Sequence, residues 1–224
     1  SMAKRGYVVA SINYRLSPPG ILTDSLKYFQ ALYRGVQDAK ASIRFFRKYY
    51  EEYKIDSDRV FVMGSSAGAK ISLHTAYLNQ YEVPSDIDTS MLGTIEGESG
   101  NPGYSSIPNG VVNCWGALWN LKWLQKGDVP VYSVHGTKDK LVPADSSFSY
   151  NGFKYGSILI QKRADDLKIV NGLRLFEGAG HTLDNDTTKQ DMAIESVSEW
   201  LYPFYKESED IVNPSSNFGT KTGR

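Results

Sequence analysis

Arg59-Val60-Phe61-Val62-Met63-Gly64-Ser65-Ser66-Ala67-Gly68-Ala69-Lys70-Ile71 joins an apolar, strand-like run to an apolar-periodic helix through a Gly-x-Ser-x-Gly pentapeptide. A serine at a sharp strand-to-helix turn has its hydroxyl pushed out above the sheet, and glycines two residues either side leave room for the backbone crossing. The pentapeptide by itself recurs by chance. The strand before it and the helix after it supply the context the mechanism demands, and they make Ser66 a candidate nucleophile.

Working outward, each flank reads as one unit of an alternating strand and helix pattern. Tyr7-Val8-Val9-Ala10-Ser11-Ile12-Asn13 is rich in β-branched residues and predicts a buried strand, closed by a turn at Ser17-Pro18-Pro19-Gly20. From about Leu32 to Tyr53, apolar Val36, Ala39, Ile43, Phe46 and Tyr50 recur at helical steps, and Asp56-Ser57-Asp58 ends that unit. Ala67 to Leu78 reads as the helix after the elbow. Residues 79–108 are rich in Ser, Gly, Pro and acids, lack periodicity, and are a candidate flap over a site. Beyond them the pattern predicts strands at Gly110 to Cys114, Val129 to His135 and Leu173 to Phe176. Helices are predicted at Ala117 to Gln125, Ser157 to Leu167 and around Met192 to Phe204. Such alternation implies parallel pairing with right-handed crossovers, and one domain over residues 1–205. Residues 206–224, with Pro214-Ser215-Ser216-Asn217 and Gly219-Thr220-Lys221-Thr222, read as a flexible polar tail.

Composition narrows the function classes. Lys and Arg total 25, matched by 25 Asp and Glu, so there is no basic surplus for nucleic acid. The single cysteine, Cys114, excludes an intrachain disulfide and a cysteine-based zinc site, and its apolar run predicts burial. No apolar run approaches the ~18 residues of a membrane span. Three scattered histidines lack metal-ligand spacing, and no dinucleotide fingerprint is present, so no cofactor is expected. Ser1 ahead of Met2 reads as a cloning remnant, which leaves room for a removed leader and export.

Serine chemistry needs a base, an orienting acid and oxyanion donors. His181 lies in Gly178-Ala179-Gly180-His181, just past the strand ending at Phe176, and is the best base. His74 falls inside the helix after the elbow and reads as packed, whereas His135 reads as shaping the loop that carries the acid. That acid is Asp139, in Gly136-Thr137-Lys138-Asp139, again just past a strand. Ser66, Asp139 and His181 follow the order nucleophile, acid, base, each after its own strand. The amide of Ala67 is a candidate oxyanion donor. Ser65 and Trp115 are candidates for substrate contact, while Trp119 and Trp123, at helical spacing, read as core.

On these residues, together with Gly6 to Leu16 and Gln37 to Phe45, the chain resembles the α/β-hydrolases. Within them it looks like the esterase and lipase branch that includes carboxylesterase-like and bacterial feruloyl-esterase-like enzymes. The resemblance implies a three-layer sandwich with a mostly parallel sheet, Ser66 as nucleophile, Asp139 as acid and His181 as base. It also implies carboxylic esters as substrates, acetyl or feruloyl esters of carbohydrate among them. Arg15 and Asp38 match family positions and read as structural. The same fold hosts serine peptidases, and a non-catalytic binding domain is the third alternative.

In the family, a strand ending in a His-Gly-Gly-Gly-type loop precedes the segment matching Tyr7 to Asn13 and supplies the second oxyanion donor. No such segment is visible here. The expectation is therefore an N-terminally shortened hydrolase with three outcomes open: the Tyr7 and Phe61 strands pair directly, another copy or chain supplies the missing strand, or the piece folds poorly, the first two being favoured. Loss of one oxyanion donor costs about 10²- to 10³-fold in turnover, so a weak enzyme is expected.

Overall fold

The computed structural model describes residues 1–16, 24–149 and 152–212. Its centre is a four-stranded parallel sheet of β1 (Phe61–Ser65), β2 (Gly110–Cys114), β3 (Val131–Gly136) and β6 (Asn171–Phe176), in the order β1-β2-β3-β6. A two-stranded hairpin, β4 (Ser146–Ser149) with β5 (Gly152–Tyr155), lies between β3 and the helix before β6. The helices are α1 (Ser25–Lys48), α2 (Tyr50–Tyr53), α3 (Ala67–Tyr77), α4 (Ser157–Leu167) and α5 (Thr187–Val212).

Strand periodicity divides the interior into two cores. Val111 and Val131 point to a cluster with Phe29, Tyr33 and Val36 of α1, Leu73 and Tyr77 of α3, and Ile160 and Ala164 of α4. Their neighbours Val112, Cys114, Tyr132 and Val134 point the other way, to Ala193, Val197 and Leu201 of α5. Because both faces are covered, β2 and β3 are buried along their whole length, as expected of parallel strands in a layered α/β fold. The buried Cys114 has its thiol pushed up to about 12 by desolvation.

The helix expected from Leu32 starts earlier, at Ser25, because Asp24 caps it by accepting from the Lys27 amide at 3.0 Å. Residues 79–108 are strapped to α1. Tyr33 Oη donates to the Gly93 carbonyl (2.8 Å), Gln37 Nε2 to the carbonyls of Leu92 and Thr94 (2.7 and 2.8 Å), and Arg44 pairs with Glu96 (2.7 Å). Arg15 binds Asp38 (2.9 Å) and Gln37 (3.0 Å), a structural role as expected.

Three expectations need correction. Tyr7 to Asn13 forms no strand: Val8 and Val9 are 61% and 58% exposed, and the segment pairs with neither β1 nor any other described strand. Tyr7 rests on the α5 side with Met2 and Phe61, and Tyr14 on the α1 side, so the chain is tied at both ends and solvated between. β-propensity becomes a strand only where a free edge is within reach, and direct pairing to β1 is not observed. The Trp-rich stretch Ala117 to Gln125 is not a helix but a single 3₁₀ turn at Leu121–Trp123. Asn120 caps that turn through the Lys122 amide, while Leu118 is drawn into a bridge with Tyr155. Trp123 is in the core as read, and Trp119 packs half-buried against it. At the far end α5 continues through residues 206–212, where tail was expected. The turn expected at Ser17-Pro18-Pro19-Gly20 and the tail beyond residue 212 lie outside the described residues.

Candidate active site

Parallel pairing sends the C-terminal ends of β1, β3 and β6 to one edge of the sheet, and each candidate residue stands just past one of them. Ser66 follows β1 directly and caps α3 with φ 54° and ψ −111°, a backbone conformation that costs a non-glycine residue about 1–3 kcal/mol. The turn is held by the Ser66 amide, which donates to the Cys114 carbonyl at 3.0 Å. It is tight enough that a Cβ on Gly64 would fall 2.2 Å from the Gly68 carbonyl.

Asp139 and His181 are carried by two loops stitched together. The Lys138 amide donates to the Ala179 carbonyl (2.9 Å) and the Gly178 amide to Thr137 Oγ1 (2.8 Å). Gly136 admits the close approach, since a Cβ there would sit 2.4 Å from the Ala179 carbonyl oxygen. After His181 the chain turns through Thr182, Leu183, Asp184 and Asn185, all left-handed, with φ of 54–58°. Buried Leu183 anchors the turn, and Asp184 accepts from the Gly180 amide at 2.9 Å.

These supports bring the three residues into one chain. His181 Nε2 is 2.9 Å from Ser66 Oγ, and His181 Nδ1 is 2.7 Å from Asp139 Oδ2. With its proton on Nδ1, donated to the carboxylate, the imidazole presents Nε2 as an acceptor to the serine hydroxyl. Asp139 is buried, which alone would raise its pKa. Hydrogen bonds from His135, the Val142 amide and His181 outweigh burial and hold it at about 2. Its Oδ1 also accepts from the Leu141 amide at 2.9 Å.

His135 backs this loop as the sequence suggested. Fully buried, it places Nε2 2.7 Å from the Val142 carbonyl and 3.3 Å from Asp139, and Nδ1 2.7 Å from Ser157 Oγ. Asn113 Nδ2 continues the network to Ser157 and Ser133, and its Oδ1 accepts from the Gly116 amide. Sequence reasoning did not find Asn113, Ser133 and Ser157, because their hydrogen-bond network forms only once β2, β3 and α4 are packed. His74 is buried in α3, with Nδ1 2.6 Å from the Lys70 carbonyl, and desolvation lowers it to about 4, in keeping with a packed histidine.

Ala67 is the first residue of α3, where amides have no intrahelical acceptor and the helix dipole favours an anion. Ser65 and Trp115 are brought together: Trp115 Nε1 donates to Ser65 Oγ at 2.8 Å, and Trp115 holds φ 46° at the end of β2. The pair braces the elbow from the β2 side.

Comparison with solved structures places this architecture. Thermogutta terrifontis esterase 2, in a form phosphorylated by paraoxon, superposes with TM-score 0.59 at 21% identity, over 77% of this chain and 64% of the esterase. The chain has the α/β-hydrolase fold. An acetyl ester-xyloside bifunctional hydrolase from Caldicellulosiruptor lactoaceticus has the same fold (TM-score 0.54, 18% identity, 75% of this chain and 65% of that one). So does the truncated form of a carbohydrate esterase from gut microbiota (0.54, 18%, 73% and 67%). Residues 1–101 of the chain match the BD-FAE family model. Among curated proteins, a probable isoprenylcysteine alpha-carbonyl methylesterase of Arabidopsis thaliana is 26% identical over 210 residues, 81% of this chain and 40% of its own length. The chain thus spans less than half of that relative.

Proposed function

We propose that this chain is a serine ester hydrolase that works through an acyl-enzyme. The observation that carries the reading is the unbroken chain Ser66 Oγ, His181, Asp139, at 2.9 and 2.7 Å, assembled from the C-terminal ends of three parallel strands. Ser66 Oγ attacks the ester carbonyl carbon as its proton passes to His181 Nε2. Asp139 stays ionised and balances the imidazolium. The carbonyl oxygen gains the electron pair and is met by the Ala67 amide. Collapse of the tetrahedral intermediate expels the alcohol, which takes the proton from His181. Water then loses a proton to His181 and attacks the acyl carbon, and the carboxylic acid leaves as Ser66 recovers its proton.

Esters are favoured over amides by the names of the relatives. Acylated carbohydrate is the substrate class to which the carbohydrate esterase and the acetyl ester-xyloside hydrolase point. The test is hydrolysis of 4-nitrophenyl acetate together with mass spectrometry after paraoxon treatment. Wild-type protein should turn over and carry a phosphoryl adduct on the peptide containing Ser66, and Ser66→Ala should do neither. An adduct elsewhere, or retained turnover in Ser66→Ala, rejects this assignment.

A further inference from the structure

Behind the triad, four polar side chains are shut away from water. Asn113 on β2, Ser133 and His135 on β3, and Ser157 at the start of α4 are each no more than 2% exposed, and the reaction above uses none of them. Buried polar atoms left without partners are costly, so the hydrogen bonds of such a group have to close among its members, donor to acceptor.

The positions of the protons follow from the two ends of the network. The Gly116 amide can only donate, so the Asn113 atom it meets at 2.8 Å is the side-chain carbonyl oxygen. Asn113 Nδ2 is then a donor, to Ser133 Oγ at 3.1 Å and to Ser157 Oγ at 3.0 Å. At the other end, His135 Nε2 stands 2.7 Å from the Val142 carbonyl and 3.3 Å from Asp139 Oδ2. A carbonyl and a carboxylate both accept, so Nε2 carries a proton. The Ser157 hydroxyl, already an acceptor for Asn113, has one further polar partner among the described residues, His135 Nδ1 at 2.7 Å. Its proton goes there, and Nδ1 is the acceptor.

We infer that Asn113, Ser157 and His135 form a positioning relay for the acid of the triad, with His135 held in its Nε2–H tautomer. For its effect on turnover this rests on the ester hydrolase reading above. The Val142 carbonyl that His135 grips belongs to the residue whose amide, with that of Leu141, donates to Asp139 Oδ1 at 2.9 Å. With Oδ1 pinned by its own loop, Oδ2 is turned to His181 Nδ1 at 2.7 Å. The relay begins on the strand end that also holds the nucleophile. Asn113 precedes Cys114, whose carbonyl accepts from the Ser66 amide at 3.0 Å, and a Cβ on Gly116 would fall 2.5 Å from the Cβ of Ala69 in α3. The end of β2 is therefore a common frame for the serine and, through three buried side chains, for the acid. A device that aligns reacting groups without touching substrate acts on kcat and leaves KM in place.

The test combines tautomers with kinetics. Long-range 1H–15N correlation near neutral pH reads which imidazole nitrogen is protonated, and the chain has three histidines. His74, against the Lys70 carbonyl, and His181, against Asp139, should carry the proton on Nδ1, and His135 alone on Nε2. A His135 with its proton on Nδ1 overturns the relay. In His135→Leu, His181 should become a mixture of tautomers, and kcat on 4-nitrophenyl acetate should fall about 10²-fold at unchanged KM. His135→Gln, which can still donate to Val142 and accept from Ser157, should recover most of both. Ser157→Ala is the milder change should His135→Leu not fold, and it should lower kcat about tenfold. A kcat unchanged in both His135→Leu and Ser157→Ala, or a loss carried by KM, overturns the relay too. If the wild type hydrolyses nothing, the histidine signals still decide. His181 fixed on Nδ1 in the wild type and His135→Gln, but mixed in His135→Leu or Ser157→Ala, upholds the relay, and His181 unaltered throughout overturns it.

Discussion

A single methyl group at Gly64 should do what a methyl group at Gly68 does not, although the two glycines are symmetric in the pentapeptide. A Cβ on Gly64 would stand 2.2 Å from both the carbonyl carbon and the oxygen of Gly68, and 2.5 Å from the Ala69 nitrogen. Those are backbone atoms in the first turn of α3 and must retreat about 1 Å for ordinary contact. Overpacking of that kind costs about 3 kcal/mol. At this chain length that lowers Tm by about 6–12 °C. Retreat of the helix start also moves Ser66 relative to His181, and a 1 Å misplacement costs about 10²-fold in turnover. A Cβ on Gly68 meets no atom within 4 Å, and the φ of Gly68 lies outside the left-handed region. Gly68→Ala should therefore stabilise by about 0.4–1 kcal/mol by restricting the unfolded chain. Near-ultraviolet circular dichroism melts, with initial rates on 4-nitrophenyl acetate, read both effects. Equal melting temperatures and rates for Gly64→Ala and wild type would refute the steric reading of the elbow.

Asp139→Asn should reduce kcat by about 10⁴-fold while leaving the fold intact, because the amide can hold His181 in the wrong tautomer. The same variant isolates a pH effect. The carboxyl is held at about 2 against an ordinary 3.8, so its stabilisation is present above pH 3.8 and is lost as pH falls through about 2. The Tm advantage of wild type over Asp139→Asn should shrink across that window, and an advantage constant from pH 5 to pH 2 would count against the assignment. His135→Phe should cost about 2–4 kcal/mol in urea unfolding, since it strips partners from the buried Ser157 hydroxyl and Val142 carbonyl. Trp115→Phe and Ser65→Ala should each cost about 1 kcal/mol, and their double-mutant cycle should show a coupling of similar size.

The sequence by itself determined most of the alternation of strands and helices, the elbow, and the position of Ser66, Asp139 and His181 just past three strands. Each of these is a local property: strand, helix and breaker patterns extend over a few residues, and Ser66, Asp139 and His181 each follow their strand within five residues. The α4 helix Ser157–Leu167 was legible end to end for the same reason. Tertiary structure decided what depends on a partner far along the chain. Tyr7 to Asn13 has strand composition, yet no described strand edge receives it, and backbone groups without a ladder stay in water. Trp119 and Trp123 have helical spacing, yet pairing of Leu118 with Tyr155 and packing on Phe29 set their backbone instead. The polar network through Asn113, Ser133, Ser157 and His135 links residues up to 44 positions apart. Lys70 of α3 and Lys154 of β5 meet the ring of Tyr28 of α1 only in the packed molecule. Periodicity reports which face of an element is apolar, whereas the identity of the neighbour across that face is fixed by packing.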